Sequence, residues 1–192
     1  MKKSILLAIA LFLAVPAAIL AQDTSSDNAF GIGPRIGYYQ AEDANEGQFY
    51  FGGQMRLRFS RIVGFEAALE YRTSADYSYP DGTDVTVSQV PITGSLMLFV
   101  PLDAGVRPYG LGGLGLYYQN YDCDGGLVGC SDDSDFNMGY HLGFGLELAA
   151  NDNISLSGDY RYLFLNPDQN ENNVEDASFS GSVFSLALTF NL

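Results

Sequence analysis

The sequence predicts an all-β protein, an eight-stranded antiparallel transmembrane β-barrel with short periplasmic turns and long extracellular loops. Three observations lead there. Segment after segment alternates bulky apolar residues with small or polar ones, which is the period of a strand whose two faces meet different surroundings. Beyond residue 21 no window is apolar for long enough to cross a membrane as a helix. Long connections alternate with short ones. The composition agrees: 22 Gly, 13 Tyr, 13 Phe and no Trp in 192 residues suit pleated sheet and close backbone approach.

Lys2 and Lys3 lead into an apolar run over 5–20 that ends at Ala21 and Gln22, the pattern of a secretory signal peptide. Residues 1–21 are expected to be removed, which leaves one domain over 22–192 that folds outside the cytoplasm. Both lysines lie in the leader, so of Lys and Arg only arginine occurs after it. With 9 Lys and Arg against 23 Asp and Glu the formal charge is −14. No basic cluster is present to release counterions from phosphates, which excludes nucleic acid as a partner.

The strands follow in order. Phe30, Ile32, Pro34, Ile36 and Tyr38 alternate with Gly31, Gly33, Arg35, Gly37 and Tyr39. Phe49, Phe51, Met55, Leu57 and Phe59 oppose Tyr50, Gly52, Gln54, Arg56 and Arg58. After a two-residue turn at Ser60 and Arg61, Val63, Phe65, Ala67, Leu69 and Tyr71 oppose Gly64, Glu66, Ala68, Glu70 and Arg72. That turn sets Phe59 against Ile62, Arg56 near Phe65 and Arg58 near Val63, so contacts from these arginines to Glu66 and Glu70 are expected to be diagonal. Val90, Ile92, Leu96, Leu98 and Val100 oppose Thr93, Ser95 and Met97. In 107–118 the phase is open, because Leu111 is odd-numbered while Leu114 and Leu116 are even; a glycine-permitted bulge would reconcile them. Phe136 through Leu148 at even positions oppose Asn137, Gly139, His141, Gly143, Gly145 and Glu147. Ile154, Leu156, Tyr160, Tyr162 and Phe164 oppose Ser155, Ser157, Asp159 and Arg161. Last, Phe184, Leu186, Leu188, Phe190 and Leu192 oppose Val183, Ser185, Ala187, Thr189 and Asn191.

The second face carries too few long polar chains to coat an exterior, so it reads as a barrel interior with the apolar face toward lipid. Closure pairs every N–H and C=O, as hydrocarbon demands. Long connections around 42–46 and from residues 73, 119 and 166 share one end, short ones at 60–61, 101–105 and 150–153 the other, and most acids fall on the long ones. This is the layout of the outer membrane of a Gram-negative bacterium, with lipid and lipopolysaccharide as surroundings.

Val90, Pro91 and Ile92 leading to Leu96, Met97, Leu98, Phe99 and Val100, then Arg107, Pro108, Tyr109 and Gly110 before the Gly-rich 111–118, resemble the central hairpin of the small outer-membrane β-barrel domain proteins, the OmpA-like and OmpX-like group. The resemblance implies assembly by the barrel assembly machinery through the C-terminal strand. Members usually end in an aromatic residue, whereas here Phe190 is third from the end and Leu192 is last. It supplies no catalytic residues and no cofactor.

The interior charges are the candidate site. Arg35, Arg56, Arg58, Arg72 and Arg161 share the small face with Glu66, Glu70, Glu147 and Asp159, with Arg107 as a candidate addition. Lone buried charges are costly, so a paired network is expected. An eight-stranded barrel is only wide enough for its own side chains, and such a network would plug it. The function expected is that of a non-enzymatic barrel that supports the envelope and presents acidic loops for adhesion or interaction. The alternative is a small channel for ions or for small or hydrophobic solutes.

Cys123 and Cys130 flank a polar Gly-rich stretch and are expected to form a disulfide in an oxidising compartment. Asp122, Asp124, Asp132, Asp133 and Asp135 lack the spacing and terminal Glu of an EF-hand and read as a solvated loop, with a divalent-cation site as the alternative. Gly110, Gly112 and Gly115 spell G-x-G-x-x-G, but a strand continues where a dinucleotide site needs a helix. His141, between Gly139 and Gly143 on its strand face, reads as a lumen histidine satisfied by water or a carboxylate rather than as part of a lipid-modifying esterase.

Overall fold

The computed structural model of the protein describes residues 29–42, 47–78, 84–102, 105–124, 133–165 and 180–192. The proposed leader, Asp132 and Cys130 lie outside them. Eight strands, β1 (Ala29–Ala41), β2 (Gln48–Arg58), β3 (Val63–Ser78), β4 (Asp84–Phe99), β5 (Val106–Asp124), β6 (Asp133–Asn151), β7 (Ile154–Phe164) and β8 (Gly181–Asn191), run antiparallel in chain order, and β1 pairs with β8 to close the barrel.

The alternation decides which face meets which medium. Phe49, Met138 and Phe144 are 72%, 68% and 65% exposed on the outer wall, beside Ile36, Leu114, Leu142 and Leu186. An apolar surface that extensive is a membrane surface. Leu57, flanked in register by Phe30 and Phe65, is the buried exception on that face of β2. Aromatic pairs tie neighbouring strands together outside: Tyr140 stacks on Phe164 at 4.6 Å, and Phe144, Tyr160 and Phe184 form a chain with centroids 5.6 and 5.0 Å apart.

Three features depart from the sequence-based expectation. First, the β2–β3 turn holds one residue more than expected: the Ser60 hydroxyl oxygen accepts from the Ile62 and Val63 amides at 3.2 and 3.0 Å, and the Phe59 amide donates to the Val63 carbonyl at 3.0 Å, so Phe59 faces Val63 and not Ile62. Arg58 therefore faces Gly64 and Arg56 directly faces Glu66, so the pair is lateral and not diagonal. Second, β5 keeps one phase, with no register break against β4 or β6. Leu111 points inward with Met97, Phe99 and Tyr109, and no bulge is needed. The register breaks fall instead between Arg72 and Ala75 and between Ala149 and Asn151. Third, β3 to β6 run further toward the long-loop end than the apolar pattern shows. Asp76, Asp84, Asp122, Asp124, Asp133 and Asp135 lie on paired strand backbone, not in loops.

Glycines let large lumen side chains lie flat on the neighbouring strand. A Cβ at Gly37 would sit 2.4 Å from the Tyr50 ring, and one at Gly145 would sit 2.6 Å from that of Tyr109; each glycine is the register partner of its tyrosine.

Candidate functional site

The inward positions of β1, β2, β3, β5, β6 and β7 converge on a closed set of charges. Glu66, fully buried, accepts from Arg35 at 2.8 Å, Arg56 at 2.7 Å and Arg161 at 2.7 Å. Asp159 holds Arg161 at 2.7 Å and Arg35 at 3.3 Å, and Glu70 holds Arg35 at 3.1 Å and Arg72 at 3.7 Å. Glu147 holds Arg58 at 2.5 Å, Arg107 at 3.2 Å and Arg56 at 3.4 Å. All nine charges singled out from the sequence, and Arg107, thus lie in one connected cluster. Three guanidiniums around one carboxylate supply enough donors to satisfy both oxygens, the condition under which a buried ion group is tolerated.

Neutral side chains complete the cluster. The Tyr109 hydroxyl donates to Asp159 Oδ2 at 3.0 Å and accepts from Arg56 at 3.4 Å. Gln54 donates to Thr189 at 3.0 Å, Ser185 accepts from Arg35, and Tyr50 shares a hydrogen bond of 2.6 Å with Ser185. Arg72 lies over the rings of Tyr39 at 4.1 Å and Tyr117 at 5.5 Å. Sequence reading of charges alone misses these residues; the signal that finds two of them is a tyrosine whose cross-strand partner is glycine. Tyr109→Phe is expected to destabilise the barrel by about 1–2 kcal/mol in a urea titration of the folded fraction, because it strips a donor from a buried carboxylate.

Apolar layers bound the charges. Toward the loop end lie Tyr39, Ala41, Tyr50, Tyr117, Leu163, Leu165 and Val183; toward the turn end, Met97, Phe99, Tyr109 and Leu111.

His141 Nε2 lies 2.8 Å from the Ser95 hydroxyl, a partner the sequence reading does not name. The two side chains are a nucleophile and a base in reach of each other, and both are buried, at 1% and 3% exposure. Gly110, Gly112 and Gly115 all lie within β5. Among the described residues no group of three or more His, Cys, Asp or Glu is placed to hold a metal ion. The Cys123–Cys130 pairing and the acidic set around Asp132 fall on residues whose side chains lie outside the described part.

Comparison with known proteins places the arrangement. Residues 6–190 match the family model described as outer membrane protein beta-barrel domain. No match was found among curated proteins. Neisserial surface protein A has a similar structure, with a TM-score of 0.61 and 17% identity over 88% of this chain and 100% of that one. The N-terminal β-barrel domain of Pseudomonas aeruginosa OprF gives 0.56 and 17% over 86% and 98%. Ail of Yersinia pestis, the attachment invasion locus protein solved with the heparin analogue sucrose octasulfate, gives 0.53 and 14% over 86% and 97%. At these identities the likeness is one of fold, and the family match carries the assignment: the chain belongs to the outer membrane protein beta-barrel domain family and resides in the outer membrane of a Gram-negative bacterium.

Proposed function

We propose that the protein is a non-enzymatic outer-membrane barrel that contributes to envelope integrity, with a lumen plugged by its own charges and acidic loops offered for adhesion or interaction. The observation that carries this reading is Glu66, buried completely and held by Arg35, Arg56 and Arg161 from three different strands. A crosslink of that kind stiffens the wall and occupies the space a solute would need. Lipid and lipopolysaccharide would surround the outer wall, and the C-terminal strand would engage the barrel assembly machinery after removal of residues 1–21.

The loop partner differs in chemistry from the ligand of Ail. A polysulfated glycan would be repelled by a chain of formal charge −14, whereas a basic surface or one bridged by divalent cations would be attracted. Deleting the gene from its native host should raise sensitivity to detergents and bulky antibiotics, and the wild-type gene should restore resistance. A loop-neutralised variant should restore resistance yet lose surface binding. Unchanged sensitivity in the deletion strain would overturn the envelope role. Cys123, near the end of β5, and Cys130, further along the chain, are read as a disulfide; mass spectrometry should find neither thiol alkylated without reductant, and alkylation of both would refute the bridge.

The channel reading has one observation in its favour: the Arg58 and Arg107 side chains at the turn end are 23% and 32% exposed, so water reaches that end of the lumen. Conduction would require the central pairs to part.

A further inference from the structure

The charges in the lumen do not balance. Among the described residues six arginines, Arg35, Arg56, Arg58, Arg72, Arg107 and Arg161, meet four carboxylates, Glu66, Glu70, Glu147 and Asp159. The surplus at Arg72 is met by the faces of the Tyr39, Tyr117 and Tyr50 rings. The other surplus is at the turn end, where Arg58 and Arg107 approach the same carboxylate oxygen, Glu147 Oε1, at 2.5 and 3.2 Å, while Arg56 takes Oε2. Two guanidiniums drawn together on one oxygen repel each other, and a single negative charge does not neutralise them.

Beside them is a cavity of about 10 Å³, whose polar lining is Arg56, Arg58, Glu147, Thr189 and Asn191 and whose apolar lining is Leu57, Met97 and Phe99. That volume suits one water-sized occupant. Arg58 Nε is shut off from solvent and has no hydrogen-bond partner. Thr189 Oγ1 already accepts from Gln54 at 3.0 Å, which leaves its own proton to donate. The one carboxylate on the wall has both oxygens engaged by arginines, so the charge that the cavity's polar side presents is positive, against an apolar side of Leu57, Met97 and Phe99.

We propose that this turn-end mouth binds one small monatomic anion, chloride in ordinary media, held by Arg58 with Arg107 as the second counter-charge. Polyatomic oxyanions exceed the space. The site does not depend on whether the lumen conducts, because the mouth is open to solvent on its own side of the central charges.

The test uses the whole barrel refolded in nonionic detergent, with chloride as the probe. The folded wild type should broaden the chloride-35 NMR line beyond detergent alone, and bromide should remove the excess by competition. Exchanging gluconate for chloride at constant ionic strength should raise the unfolding midpoint to a plateau, as a ligand bound only by the folded state requires. Both effects should be lost in Arg58→Gln and in Arg107→Gln. Should one variant run unfolded on an unboiled gel, the other variant and the wild-type competition decide. Absence of excess broadening from folded wild type, or broadening retained in a folded variant, would assign the cavity to water and overturn the proposal.

Discussion

Glu66→Ala should destabilise the folded barrel by about 3–5 kcal/mol, the cost of leaving buried charges without their partner. Arg35, Arg56 and Arg161 all lie within 2.8 Å of its carboxylate, and the side chain has no exposure to water. With Glu66 gone, Asp159, Glu70 and Glu147 are left to hold arginines they already share. Removing a partner as well should hurt less than its own cost added on: Glu66→Ala combined with Arg161→Met is expected to lie closer to wild type than Glu66→Ala alone. Urea titration of the folded fraction, expected to run as a band that shifts on boiling because a closed barrel resists unfolding without heat, measures both. A Glu66→Ala midpoint within about 0.5 kcal/mol of wild type, the range of an ordinary surface substitution, would mean that lumen water compensates the arginines.

Gly33→Val should abolish the folded, heat-modifiable form. A Cβ at Gly33 would lie 1.7 Å from the Leu188 carbonyl oxygen and 3.1 Å from Thr189 Cα, both backbone of β8, so no side-chain movement relieves the clash. The β1–β8 seam is the one that closes the barrel, and a seam held apart leaves unpaired N–H and C=O groups in hydrocarbon at several kcal/mol each. Gly158→Ala is the control, since its nearest neighbour is the Leu186 Cδ2 methyl at 3.2 Å, a side-chain end that can give way. A Gly33→Val protein that shifts on boiling with a wild-type urea midpoint would refute this account of closure.

What the sequence made legible depended on where lipid imposes a pattern. In β6, Met138, Tyr140, Leu142, Phe144, Leu146 and Leu148 must all face hydrocarbon, so both phase and face follow from the residues. Where lipid is absent the pattern lapses. The strand from Gln119 to Asp124 carries Asn120, Asp122 and Asp124 where the earlier part of β5 carries Leu114 and Leu116, and it reads as loop until its pairing with β4 is seen. Leu111 was ambiguous because the lumen is not uniformly polar; near the turn end it holds its own apolar cluster, and a leucine there breaks an alternation that the backbone keeps. The β2–β3 register turns on one hydroxyl, Ser60, whose hydrogen bonds hold three residues between Phe59 and Val63 where the sequence suggests two between Phe59 and Ile62. For the candidate site, charge on the small face was sufficient to pick out the ionic members. The tyrosines, Gln54 and Ser185 were not distinguishable without the register that brings them to the same height.

The central claim is that the lumen is closed by Arg35, Arg56, Arg161, Glu66 and Asp159. The most direct measurement is single-channel current across a planar bilayer holding the refolded wild-type barrel, followed by the Glu66→Gln protein under the same voltage. The account predicts no steady current from wild type and discrete openings once the carboxylate that joins three strands is neutralised. A steady wild-type current that Glu66→Gln leaves unchanged in amplitude would contradict it and make the lumen an open aqueous path.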